Sequence, residues 1–179
     1  MYHIKNDKRA YNSAELISEA LYKCLEEKEY EYITVTDLKN KSTVSRATFY
    51  RLFDNIDDVF TYQINKVLDS ERKMLLKRVP FDLLKDFILS VIENKDLLQS
   101  LIKANKIGLL ANEVGKRIDI LEKKELLNGD PLDTKYVISI FSAIVSSSIM
   151  IWVSSGSNDV DELCHKIRNS LSIINKTIQ

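Results

Sequence analysis

Glycine and proline are scarce, 4 and 2 in 179 residues, and that scarcity excludes a fold built on many tight turns. A β-sandwich or barrel needs far more of both, so helices joined by short loops are expected. Histidine is almost missing: His3 near the start and His165 beside Cys164 are the only two. There is no glycine-rich phosphate loop and no spaced set of metal ligands, so neither cofactor nor metal is expected. Cys164 and His165 are sequence neighbours, so on a helix they point in different directions and make a poor catalytic dyad. The sequence does not read as an enzyme. Cys24 and Cys164 are the two cysteines, far apart and on apolar helix faces, which suits two buried thiols in a reducing cytoplasm. Residues 1–13 lack the apolar segment of a signal peptide. One long run, residues 136–153, carries no charge and approaches the roughly 20 residues of a membrane span. Ser139, Ser142, Ser146, Ser147 and Ser148 interrupt it, and no basic cluster flanks it, so it reads as a buried or interface helix.

What is present builds a globular core: 45% of residues are apolar. Net charge is zero, with 26 basic residues against 26 acidic ones, yet the distribution is uneven. Between residues 36 and 51, Lys39, Lys41, Arg46 and Arg51 face Asp37 alone. Asp54, Asp57 and Asp58 then reverse the sign, while Lys5, Lys8 and Arg9 add positive charge near the start. Basic charge is gathered where a phosphate backbone could meet it.

Along the chain, residues 1–11 read as a loose polar tail. Asn12 with Glu15 makes a capping-box pattern, and Ile17, Ala20, Leu21, Cys24 and Leu25 recur at helical spacing to about residue 28. Residues 30–35 are a connector. Thr34 with Asp37 forms a second capping box, opening a short helix to about Lys41. Residues 42–44 turn, and Ser45 caps a third short helix to about Leu52. Asn55 opens a long helix from Ile56 to about Leu76. Residues 81–93, 95–105 and 107–127 have amphipathic patterns, Asn128-Gly129-Asp130-Pro131 is the clearest loop, and residues 136–153 and 160–176 are the last two helices. The division expected is a small helical head over 1–55 and a larger helical body over 56–179.

Residues 34–53, TVTDLKNKSTVSRATFYRLF, have the layout of a helix-turn-helix, in which one helix lies across the DNA backbone and the next enters the major groove. Leu38, Val44, Phe49 and Phe53 are spaced to form the small core that sets the angle between the helices. Ser45, Arg46, Thr48, Tyr50 and Arg51 fall between them and face outward, supplying hydroxyls and guanidinium groups suited to phosphates and purine edges. Ala47 is small where the helix must approach the bases.

The run ITVTDLKNKSTVSRATFYRLFDNIDDVF resembles the DNA-binding domain of the TetR/AcrR family of transcriptional regulators, most specifically over Ser-Arg-Ala-Thr-Phe-Tyr-Arg-x-Phe. The resemblance covers about residues 10–60. It implies an all-α fold and a homodimeric repressor that leaves its operator when a small molecule binds the body. Carried over by position, Thr34, Thr36, Ser45, Arg46, Thr48 and Tyr50 would contact DNA, with Thr34 and Tyr50 on phosphates and Arg46, Ala47 and Thr48 nearest the bases; Arg51 joins this set as a basic neighbour. Three positions depart from the family pattern. Thr43 replaces the usual turn glycine, so that either the turn is strained or its geometry differs. Ile56 replaces a phosphate-binding lysine, which should reduce the salt slope by about 1 per half-site. Asp54 stands where basic or neutral residues are usual. A protein of this fold that has lost DNA binding and acts through a protein partner is the alternative these three positions keep open.

In the body, residues 136–153 and 160–176 are the natural dimerisation pair, giving a four-helix bundle with their twofold mates. Ser139, Ala143, Ser146 and Ser147 form a small-residue stripe permitting close approach. Such a dimer would place two recognition helices about 34–36 Å apart and call for a palindromic operator. The middle helices offer room for a ligand without a chemically distinctive residue, and Phe87, Phe141 and Trp152 suit a core.

Overall fold

An apolar residue at every third or fourth position from Ala10 to Leu25 winds the first helix, α1 (Lys8–Glu27), and turns Ala10, Ala14, Ile17, Ala20, Leu21, Cys24 and Leu25 inward. A computed structural model describes residues 1–4, 7–70, 93–122, 131–156 and 159–178. Among these it has eight α-helices and no strand beyond one isolated bridge. They fall into two units. One is Met1–Val67 with Asn94–Leu109; the other takes the described residues of Leu68–Glu93 and Leu110–Gln179.

Of the tail expected at residues 1–11, residues 8–11 are helical. The Asp7 side chain accepts from the Arg9 amide at 3.0 Å and caps α1, so the helix starts before the Asn12–Glu15 pattern. Glu15 is engaged elsewhere, accepting from Tyr62 at 2.8 Å and pairing with Lys66 at 2.7 Å. Residues 1–4 lie against the end of the helix-turn-helix: Tyr2 bridges Phe53, and the His3 amide donates to Leu52 O at 2.7 Å.

After the 3-10 turn Tyr30–Tyr32, α2 (Val35–Ser42) opens on the expected capping box: Thr34 N donates to Asp37 Oδ2 at 2.8 Å, and Asp37 N to Thr34 Oγ1 at 3.3 Å. Helix α3 (Arg46–Leu52) is capped by Ser45, whose hydroxyl accepts from Thr48 N at 3.1 Å. Leu38, Phe49 and Phe53 are buried as expected. Val44 is only half-buried, and Leu52 takes its place in the core. Helix α4 (Asp57–Ser70) contributes Val59, Phe60 and Ile64 to the same core, and Gln63 Nε2 donates to Ser18 Oγ at 2.8 Å across to α1. The continuation of α4 expected to about residue 76 lies outside the described residues, as does the helix expected at 81–93 apart from Glu93.

Helix α5 (Lys95–Lys103) buries Leu97, Leu98 and Leu101. It ends with Asn105 N on Ile102 O at 3.0 Å and Lys106 N on Leu101 O at 2.8 Å. Asn105 takes φ 52, the left-handed place that glycine usually fills in this closure. Helix α6 (Ile107–Glu122) follows.

In the second unit α7 (Pro131–Ser154) turns through Gly156, at φ 72, into α8 (Val160–Ile178). Val145, Ile149 and Trp152 on α7, and Leu163, Cys164 and Ile167 on α8, are buried. Trp152 Nε1 donates to Asp159 O at 3.2 Å and closes the hairpin. The small-residue stripe divides: Ser139, Ala143 and Ser147 are exposed, together with Tyr136, Ile140 and Ile151, whereas Ser142 and Ser146 face inward. Phe87 and the side chain of Phe141 lie outside the described residues.

Candidate nucleic-acid interface

The outward side of α3 follows from how its inward side is held. Phe49 and Leu52 are buried, Phe49 stacking obliquely on Phe53 at 5.7 Å. That fixes the helix rotation and leaves Arg46, Ala47, Tyr50 and Arg51 exposed, with Thr48 half-buried. Tyr50 is 51% exposed although aromatic, its ring edge-on to Phe49 at 5.3 Å. A large aromatic side chain left this open suits contact with a phosphate or a partner surface. Thr34 and Thr36 are exposed at the start of α2. Thr34 and Ser45 are exposed residues whose hydroxyls cap their helices: Thr34 Oγ1 also donates to Asp37 Oδ2 at 2.6 Å, and Ser45 Oγ to Thr48 Oγ1 at 3.0 Å.

The turn between the helices keeps its left-handed geometry without glycine. Thr43 sits at φ 61, ψ 2, a left-handed conformation that strains a β-branched residue. Local hydroxyls support it: Thr43 Oγ1 donates to Ser42 O at 2.6 Å, and Val44 N donates to Ser42 Oγ at 3.1 Å.

The charge inventory is smaller than the sequence suggests. Lys41 pairs with Glu27 at 2.5 Å and Lys28 with Asp37 at 2.7 Å. Lys28 and Thr34 hold the Asp37 carboxyl far below its usual range. Among the described residues, Lys39, Arg46 and Arg51 are the cations of α2 and α3 with no carboxylate partner. Asp54 is offset rather than left facing a phosphate: it takes the Met1 ammonium at 2.7 Å and His3 Nε2 at 2.9 Å, which lower its pKa in that order. Ile56 is half-buried.

Sequence reasoning missed two features here. The first is the seating of residues 1–4, for which the polar sequence carries no periodic signal. The second is a contact of Tyr30, Asp57 and Lys106 beside the helix-turn-helix: Tyr30 donates to Asp57, and Lys106 Nζ lies 2.9 Å from the same carboxylate. Burial first, then the bond to Asp57, push the Tyr30 phenol well up. Among the described residues no group of side chains could hold a metal ion, and no helix is long and apolar enough to cross a membrane.

The architecture is thus an all-α protein with a capped helix-turn-helix near its start. Its fold is that of the TetR transcriptional regulators. Lin0861 from Listeria innocua superposes with a TM-score of 0.80 at 21% identity, over 96% of this chain and 96% of that one. A TetR transcriptional regulator from Streptococcus agalactiae superposes with a TM-score of 0.59 at 16% identity, over 90% and 94%. At these identities the likeness is one of fold. No protein-family model matches the chain, and no curated protein matches it.

Proposed function

We propose that the protein is a TetR-like transcription regulator, a cytoplasmic homodimer that binds a palindromic operator through α3 and leaves it when a small molecule binds the helical body. The observation that carries this reading is the outward face of α3. Arg46, Ala47, Tyr50 and Arg51 are exposed on a helix whose other side is locked by buried Phe49 and Leu52. Thr34, Thr36, Ser45 and Thr48 extend that face with hydroxyls. Arg46 and Thr48 read base edges beside Ala47, while Thr34, Tyr50 and Arg51 hold the backbone. The exposed stripe Tyr136, Ile140, Ala143, Ser147 and Ile151 on α7 supports pairing of α7 and α8 with a second copy.

The test is filter binding of the purified protein to genomic fragments at low and high salt. Binding should fall linearly on a double-logarithmic salt plot. Arg46→Ala and Tyr50→Ala should each abolish it, with the dimer unchanged on size exclusion. Absent or salt-insensitive binding rules the operator reading out.

A further inference from the structure

The helix-turn-helix is bracketed by two residues that meet. The chain comes into α2 through Tyr30 and leaves α3 through Asp57, the first residue of α4. The Tyr30 hydroxyl donates to Asp57 Oδ1 and so clasps the two ends of the segment together. Asp57 Oδ2 takes Lys106 Nζ at 2.9 Å, and the same ammonium lies 4.9 Å from the centre of the Tyr30 ring, within cation–π range. Lys106 therefore touches both halves of the clasp. Phe60 backs the Tyr30 ring at 5.9 Å.

Lys106 comes from outside the helix-turn-helix. It stands at the corner between α5 and α6, and the hydrogen bond from its own amide to Leu101 O, beside left-handed Asn105, fixes its backbone. Asp57 needs this cation because of its neighbours. Asp54 and Asp58 both hold the Met1 ammonium, and Asp58 also accepts the amides of Asp54 and Asn55 at 3.0 and 3.2 Å. Without Lys106, a partly buried carboxylate would keep a single phenol donor in an acidic stretch, and repulsion would favour opening.

We infer that Lys106 is a positioning residue for the DNA-binding head: it keeps the Tyr30–Asp57 clasp closed, and through it the α5–α6 corner sets DNA affinity. The inference rests on the operator-binding reading above.

The test uses the full chain and a genomic fragment that the wild-type protein binds. Lys106→Met keeps the aliphatic stem and removes the charge; Tyr30→Phe keeps the ring and removes the donor. Each should weaken binding about fivefold or more, the lower end of ordinary coupling between sites. The double variant should lose less than the two effects combined, because both open one clasp. Lys106→Arg should restore affinity. Lys66→Met is the control: it breaks the Lys66–Glu15 pair in the same unit and removes the same charge, yet should leave affinity within about twofold. Hydrogen exchange of the α2 and α3 amides should quicken in Lys106→Met and not in Lys66→Met. If Lys106→Met binds like the wild type, or loses no more than Lys66→Met, the inference is overturned and operator binding stands. If the wild type binds no fragment, the operator reading fails and takes the inference with it. Should circular dichroism show Lys106→Met unfolded, Tyr30→Phe, which loses one oxygen, decides by the same criteria.

Discussion

A threonine held at φ 61 occupies a conformation that costs an L-residue roughly 1–2 kcal/mol. Thr43→Gly removes that cost and adds back about 0.4–1 kcal/mol of unfolded-chain entropy. The variant should therefore be more stable by up to about 1.6 kcal/mol, read as a higher urea midpoint at unchanged slope. A lower midpoint would mean that the Thr43 Oγ1 bond to Ser42 O outweighs the strain. Ser142 poses the reverse case. It is 3% exposed on α7, and its Oγ is the one buried side-chain polar atom without a partner among the described residues. A buried hydroxyl left unpaired costs about 1–3 kcal/mol, so Ser142→Ala should raise the melting temperature. Acid should act on the first unit through its carboxylates. Asp37 is lowered by Lys28 and Thr34, and Asp54 by Met1 and His3. For Glu15, burial works upward, but Lys66 and Tyr62 outweigh it and the net shift is downward. A carboxyl whose folded pKa lies below its unfolded one, about 4, contributes stability that is present above that value. It is lost as pH falls through the folded pKa. Urea midpoints should thus fall progressively below about pH 4, and Asp37→Asn should flatten that fall.

Among the elements, the two short helices depend on their caps. Helices α2 and α3 have 8 and 7 residues, too short to persist alone. Ser45→Ala should cost about 1 kcal/mol by loss of the cap. Ser45→Asp separates the two roles of that residue: aspartate is an equally good cap, so stability should hold, while a negative charge on the outward face should abolish DNA binding. Retained binding by Ser45→Asp would take Ser45 out of the interface. These elements were readable in the sequence because their signals are local. The Thr34–Asp37 box, the Ser45 cap and the spacing of Leu38, Phe49 and Phe53 each lie within one or two turns. The start of α1 was not readable, because Asp7 and Asn12 are both acceptable caps and only burial of Ala10 decides between them. Lys106 was unreadable for a different reason: its partner Asp57 lies 49 residues away in sequence, and no periodic pattern reports a contact of that separation. Thr43 was half readable. The sequence left strain or a different turn geometry open, and the left-handed φ of Thr43 decides for strain.

For the whole molecule, the ion pairs within the first unit would set the strength of the proposed operator binding. With Lys41 and Lys28 paired internally, three cations per head remain on α2 and α3: Lys39, Arg46 and Arg51. With Arg46 on a base edge, Lys39 and Arg51 of two heads on one operator would give a log–log salt slope of about −4. A slope near about −7 would show that the paired lysines leave their carboxylates on binding. Neutral overall charge does not oppose this, since the field that DNA meets is local. The placement of the aromatic residues has a further, spectroscopic consequence. Trp152 is the sole tryptophan and is buried where its indole closes the α7–α8 hairpin, whereas every tyrosine except Tyr136 lies at or before Tyr62. Light absorbed selectively by tryptophan should report the hairpin alone, and tyrosine emission should report chiefly the first unit. The unlabelled chain thus carries a separate optical probe for each of its two units.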